Sequence, residues 1–161
     1  MKFPSRVTPS PEGRIDELLT IERVAVLQRA GIFSGIPGHT LAAVARIVDE
    51  VRFNPGEEII TRGAVEDWLF VVAEGRVRAH IGDRTLTERL PGDVVGELAV
   101  LAPAARSASV TAIEPTLLLR LRRKAFDELL DDQPDIARSV IAALATRLQE
   151  LADDEAGPES P

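Results

Sequence analysis

The chain has 161 residues, with 19 basic and 26 acidic side chains, a net charge of −7, 45% apolar residues and no cysteine. That length and apolar content fit one domain around one core, and the missing cysteines exclude disulfides and thiolate metal sites. The acidity excludes an extended nucleic-acid surface, which requires clustered Lys and Arg.

Residues 1–13 carry Pro4, Pro9 and Pro11 among small polar residues, and 153–161 form a short acidic tail. Both are expected to be disordered and to flank a folded unit spanning 14–152. Residues 14–49 read as helices: Ile15, Leu18, Leu19, Ile21, Val24, Val26 and Leu27 keep a helical rhythm that ends near Gly31. A second helix is predicted over 40–48, after the breaker Pro37-Gly38.

The period changes over 50–122. Val51-Arg52-Phe53 leads to Pro55-Gly56, residues 58–61 lead to Gly63, and residues 68–72 lead to Glu74-Gly75. Val77, His80 and Ile81 precede Gly82-Asp83, residues 85–90 are closed by Pro91-Gly92-Asp93, and strands over 107–113 and 116–121 follow. Short strands punctuated by glycine turns at this spacing indicate a sandwich or barrel. Residues 123–152 are helical again, with a short helix over 125–130, a break at 132–134 and a longer helix over 135–151. The apolar positions Ala137, Ile141, Leu144, Leu148 and Leu151 step by four, three, four and three. Such a stripe either packs on the barrel or forms a self-association seam.

The chemistry lies between Pro91 and Val110. Gly96 stands where a strand gives way to the short apolar turn Glu97-Leu98-Ala99-Val100-Leu101. A glycine there lets a ligand approach the main chain, and a helical turn beginning at it aims free N–H groups at an anion. Nine residues after Glu97, Arg106 sits among alanines and serines, and its guanidinium fork matches a phosphate. Glu97 fits as the acceptor for a sugar hydroxyl. The combination suits a sugar phosphate of low charge.

Gly96-Glu97-Leu98-Ala99-Val100-Leu101 followed by Arg106-Ser107-Ala108-Ser109-Val110 resembles the phosphate-binding cassette of the cyclic nucleotide-binding domain family. The resemblance extends over 20–152, with Pro55-Gly56-Glu57, residues 69–77 and Pro91-Gly92-Asp93 at family positions. It implies a mainly β fold: an eight-stranded jelly-roll-like β-barrel over 50–122, with N-terminal helices, two C-terminal helices and the cassette at 96–108. It implies further that Glu97 holds the ribose 2′-hydroxyl and Arg106 neutralises the cyclic phosphate. Backbone N–H groups of Leu98, Ala99 and Ala108 would complete the anion cradle, with Gly96 giving access and the Ser107 hydroxyl adding a bond. Ser107 is compatible with either purine, and cyclic AMP is favoured over cyclic GMP as the ligand. Val95 stands where many relatives have Phe, which alters the shape near sugar or base. Base-capping candidates on the last helix are Thr146, bonding the adenine amino group, Arg147, stacking on the ring, and Leu148.

No nucleophile-and-base pair and no metal-ligand set accompany this cassette, so the expected role is that of a sensor, not an enzyme. No metal or cofactor is expected beside the ligand. A ligand-free interaction domain of the same fold, part of a larger transporter or helical-repeat protein, is the alternative. The expected partner is an effector protein or a second copy through helix 135–151. Neither DNA binding by this chain nor membrane insertion is expected, and no helix-turn-helix is expected after the long helix. The N-terminus lacks the apolar run of a signal peptide, so the expected location is the cytoplasm.

Overall fold

The computed structural model describes residues 18–96, 102 and 104–157, the side chain of Arg147 excepted. The segment 1–13 and the first predicted helical positions lie outside the described residues. Helix α1 (Thr20–Arg29) is followed by a single 3-10 turn (Gly31–Phe33) and helix α2 (Gly38–Ile47). The Glu22 carboxylate accepts the Leu19 N–H at 2.8 Å, closing the start of α1. Arg23 fastens α1 to the first strand: it pairs with Glu50 at 3.2 Å and donates to the Ala45 carbonyl at 3.0 Å.

Among the described residues ten strands then follow: β1 (Asp49–Phe53), β2 (Glu58–Ile60), β3 (Val65–Glu66), β4 (Trp68–Glu74), β5 (Val77–Ile81), β6 (Arg84–Arg89), β7 (Val94–Val95), β8 (Ala104–Ala105), β9 (Ser109–Ala112) and β10 (Thr116–Arg122). Eight of them form two four-stranded antiparallel sheets, ordered β1-β10-β4-β7 and β2-β9-β5-β6. That is the expected eight-stranded jelly-roll-like barrel. The remaining two, β3 and β8, make a small separate ribbon that the sequence pattern does not announce. Helices α3 (Arg123–Asp132) and α4 (Pro134–Ala156) close the chain.

The strand β4 shows how the sheets bury their faces. Leu69 and Val71 point to a core shared with the helices, together with Leu119, Leu121, Val94, Phe33, Leu41 and Phe126. Phe70 and Val72 point the other way, into the barrel, among Val51, Phe53, Ile60, Val77, Val95, Val110 and Leu118. A strand buried on both faces needs an unbroken apolar run, which is why 69–72 lack polar alternation. The turn after β4 relies on Gly75 at φ +91°, where a Cβ would lie 2.4 Å from the Pro115 carbonyl oxygen. Only glycine fits that crossing.

The C-terminal helices dock on the first core. Phe126 of α3 meets Phe33 edge-on, with ring centroids 6.3 Å apart at 85°. Helix α4 enters through Ile136 and Val140, both buried, with Leu144 packed beside them. The predicted stripe therefore divides: Leu144 faces the body, while Ile141, Leu148 and Leu151 are each more than 60% exposed. Helix α4 also continues through Asp153 and Asp154 to Ala156 and stops before Gly157 at φ +63°. This corrects the expected tail at its start. Alanine and glutamate extend a helix readily once it is nucleated, and Gln149 donates to Asp153 at 3.1 Å one turn on. Residues 158–161 lie outside the described residues. Truncating Ile136 to valine is expected to cost about 0.5–1.5 kcal/mol of stability, measured as a lower urea midpoint with an unchanged slope.

Candidate functional site

Arg106 follows strand β8, and the β3–β8 ribbon determines what it meets. The ribbon sets Glu66 opposite Ala104 and Val65 opposite Ala105. Beyond it, the Arg106 N–H donates to the Ala64 carbonyl and the Gly63 N–H donates to the Arg106 carbonyl, both at 2.8 Å. The backbone of Arg106 is thus held on both sides, and its side chain is driven inward to 8% exposure.

Inside, the guanidinium is spread over three partners. Its Nε donates to the Glu66 carboxylate at 3.2 Å, one Nη donates to the Gly96 carbonyl at 3.4 Å, and the other donates to the Trp68 carbonyl. Burial pushes the Arg106 pKa down, and the Glu66 charge and hydrogen bond pull it back up. A guanidinium has five N–H bonds and does not lose its proton in a protein. Two of those donors have no partner among the described residues.

Val95 and Gly96 approach from the other sheet. Val95 pairs with Phe70 across β4–β7 and is buried. Gly96 takes φ +77°, and a Cβ there would lie 2.0 Å from an Arg106 Nη. Between these elements lies a cavity of about 170 Å³, lined at its phosphate-like end by Gly96, Arg106, Ser107 and Ala108. Val95, Val110 and Ile60 supply its apolar wall. Ser107 is exposed and Ala108 half-buried.

The structure thus brings Val95, Gly96, Arg106, Ser107 and Ala108 to one cavity. Glu97, Leu98 and Ala99 lie outside the described residues, as does the Arg147 side chain. Thr146 is placed elsewhere. Its hydroxyl donates to the Ala142 carbonyl of its own helix at 3.1 Å. It lines a groove with Gly31, Ser34 and Gly35, and it is not among the residues lining the cassette cavity. Leu148 is 69% exposed. In this arrangement of α4, therefore, neither Thr146 nor Leu148 caps the cavity. Two polar residues absent from the sequence-based set also belong to the site. Glu66 is separated from Arg106 by 40 positions and carries no motif. Arg89 was legible only as a β6 residue alternating with Thr85 and Thr87.

Among the described residues no group of His, Asp and Glu could hold a metal ion. His80 is satisfied within the fold, with its ring nitrogens 2.7 Å from the Gly82 carbonyl and 2.8 Å from the Thr111 hydroxyl. No helix among the described residues is long and apolar enough to cross a membrane.

The site is thus a jelly-roll barrel in which a buried arginine, paired with Glu66, lines a small cavity beside Gly96. A family profile described as "Cyclic nucleotide-binding domain" matches residues 50–133, just over half of the chain, and the chain belongs to that family. A "CRP-like cAMP-activated global transcriptional regulator" of Mycobacterium tuberculosis is 32% identical over 129 residues, covering 77% of this chain and 58% of the relative. The N-terminal domain of a transcriptional regulator from Streptomyces coelicolor has a TM-score of 0.75 at 29% identity, covering 81% of this chain and 94% of that one. The regulatory domain of Toxoplasma gondii PKA, solved with cAMP, has a TM-score of 0.64 at 26% identity, covering 74% of this chain and 47% of that one. The chain thus spans less than two thirds of the length of the Mycobacterium regulator it matches.

Proposed function

We propose that this domain is a sensor that binds a cyclic nucleoside monophosphate, cyclic AMP in preference to cyclic GMP, and reports occupancy through α3 and α4. The observation that carries this reading is the anchored Arg106, which lines one cavity with Gly96, Ser107 and Ala108. The preference for cyclic AMP is supported by the similarity to the cAMP-activated Mycobacterium regulator and to the Toxoplasma domain solved with cAMP. Glu97, which lies outside the described residues, is proposed to accept the ribose 2′-hydroxyl, and the N–H groups of Leu98 and Ala99 to join the cradle.

Binding in place of turnover is the proposed activity, since among the described residues no nucleophile stands beside a base at this cavity. The ligand shifts the α3–α4 arrangement only as far as its affinities for the two states differ. The partner that reads α4 is proposed to be an effector or a second copy of the chain, acting in the cytoplasm. With a net charge of −7, this domain is not proposed to touch DNA itself.

Titration calorimetry on the full chain tests the reading. Saturable heat is expected with cyclic AMP, weaker heat with cyclic GMP, and little with linear AMP, whose dianionic phosphate overfills a site with one anchored cation. No heat from either cyclic nucleotide at millimolar concentration overturns it.

A further inference from the structure

Ser109 opens strand β9 and does not line the cassette cavity, although its neighbours Ala108 and Val110 both do. Successive residues of a strand face opposite ways, so Ser109 is turned to the other side of the sheet. Its hydroxyl is engaged there. It accepts the Arg62 N–H at 3.0 Å, across 47 positions of sequence.

Arg62 belongs to the loop 61–64 between β2 and β3, the same loop that holds the Arg106 backbone. The Gly63 N–H donates to the Arg106 carbonyl and the Arg106 N–H to the Ala64 carbonyl, both at 2.8 Å. The loop has little packing of its own. Thr61, Arg62 and Gly63 are exposed, and a Cβ on Gly63 would meet nothing within 4 Å. Its internal ties are local: the Ala64 N–H donates to the Thr61 carbonyl at 3.1 Å, and the Thr61 hydroxyl bonds Glu58. The β2–β9 ladder ends where Ile60 stands opposite Val110. Past that point the Ser109 hydroxyl carries the loop onward along the limb that bears Arg106. A loop can hold Arg106 only as firmly as it is itself held.

We infer that Ser109 is a positioning residue: its hydroxyl fixes the 61–64 loop, the loop fixes the Arg106 backbone, and the guanidinium is thereby set against the ligand phosphate. This rests on the cyclic-nucleotide reading above. Glu66 and the Trp68 carbonyl hold the tip of the Arg106 side chain, and the loop holds its root. An arginine held at both ends presents its planar fork in one orientation, and so distinguishes one exocyclic phosphate oxygen from the other. Without the Ser109 hydroxyl the root is loosened, the fork tilts, and that distinction weakens along with the affinity.

The test is calorimetry of the full chain with cyclic AMP and its two phosphorothioate diastereomers, in each of which sulfur replaces one exocyclic oxygen. The proteins compared are the parent, Ser109→Ala, Ser109→Val and Ser109→Thr. Valine and threonine have nearly the same shape and both suit a strand, and only threonine keeps the hydroxyl. The parent is expected to prefer one diastereomer. Ser109→Ala and Ser109→Val are expected to bind cyclic AMP about two- to tenfold more weakly and to discriminate less between the diastereomers, while Ser109→Thr stays near the parent in both. Weakening of all three ligands by one factor, with the diastereomer ratio unchanged, marks a general structural role and overturns the inference. Parent-like binding by Ser109→Val, a parent ratio near one, or a Ser109→Val that fails to fold beside a folded Ser109→Thr overturns it as well. Each of these leaves the sensor reading standing. A parent protein that binds none of the three ligands overturns both.

Discussion

Arg106→Leu is expected to remove cyclic-nucleotide binding and to unfold at a lower temperature, and the two effects have different causes. Binding is lost because the phosphate forfeits charge-assisted hydrogen bonds worth about 1.5–3 kcal/mol, a weakening of roughly tenfold to a hundredfold or more. Stability falls because Glu66, only 7% exposed, is left as an uncompensated buried charge, and the carbonyls of Trp68 and Gly96 lose a donor. Breaking one side of a buried pair costs about 3–5 kcal/mol, and for a chain of this size that lowers Tm by about 6–20 °C. The double variant Glu66→Gln, Arg106→Leu removes the stranded charge. It is expected to recover part of the lost Tm while binding stays absent. Normal binding by Arg106→Leu shows that the anion is held elsewhere. Unchanged stability shows that the Glu66 pair contributes nothing net.

Gly96→Ala is expected to act in the opposite proportion, with a large loss of affinity and a smaller loss of stability. The left-handed backbone at φ +77° costs a non-glycine residue about 1–2 kcal/mol. The new methyl would also sit 2.0 Å from an Arg106 Nη. A free arginine tip could swing aside at little cost. This one is tied to Glu66 and Trp68, so relief comes by tilting the guanidinium out of the cavity and turning its N–H groups away from the phosphate. Calorimetry beside a thermal melt separates the terms. Parent-like affinity at a reduced Tm excludes this coupling between Gly96 and Arg106.

The order of helices, strands and helices was legible because its punctuation is local. Gly56, Gly63, Gly75, Gly82 and Gly92 all take positive φ and stand at turns that the sequence marks. The β3–β8 ribbon was not legible, since two-residue strands have no period to detect, and the ribbon is what seats Glu66 beside Arg106. A contact across 40 residues leaves no trace in local spacing. Helix α4 was only partly legible for a different reason. The stripe stepping by four and three from Ala137 contains both the docked Leu144 and the exposed Ile141, Leu148 and Leu151. The buried contacts that begin the docking, Ile136 and Val140, lie beside that stripe. The Arg106 and Gly96 positions were legible as chemistry, a fork and a hinge. Arg89 was not legible as a cavity residue, because it belongs to a strand whose inward face is known only once its partner strand is known.

The docking of α4 at one end has a mechanical consequence. From Val140, its last buried residue, the helix runs about 24 Å to Ala156. Along that length Leu144 packs on the core, and Thr146 and Glu150 line a groove against Gly31, Ser34 and Gly35. A turn of about 10° about Ile136 and Val140 would sweep the far end through roughly 4 Å, changing the width of that groove and carrying the exposed Leu148 and Leu151 with it.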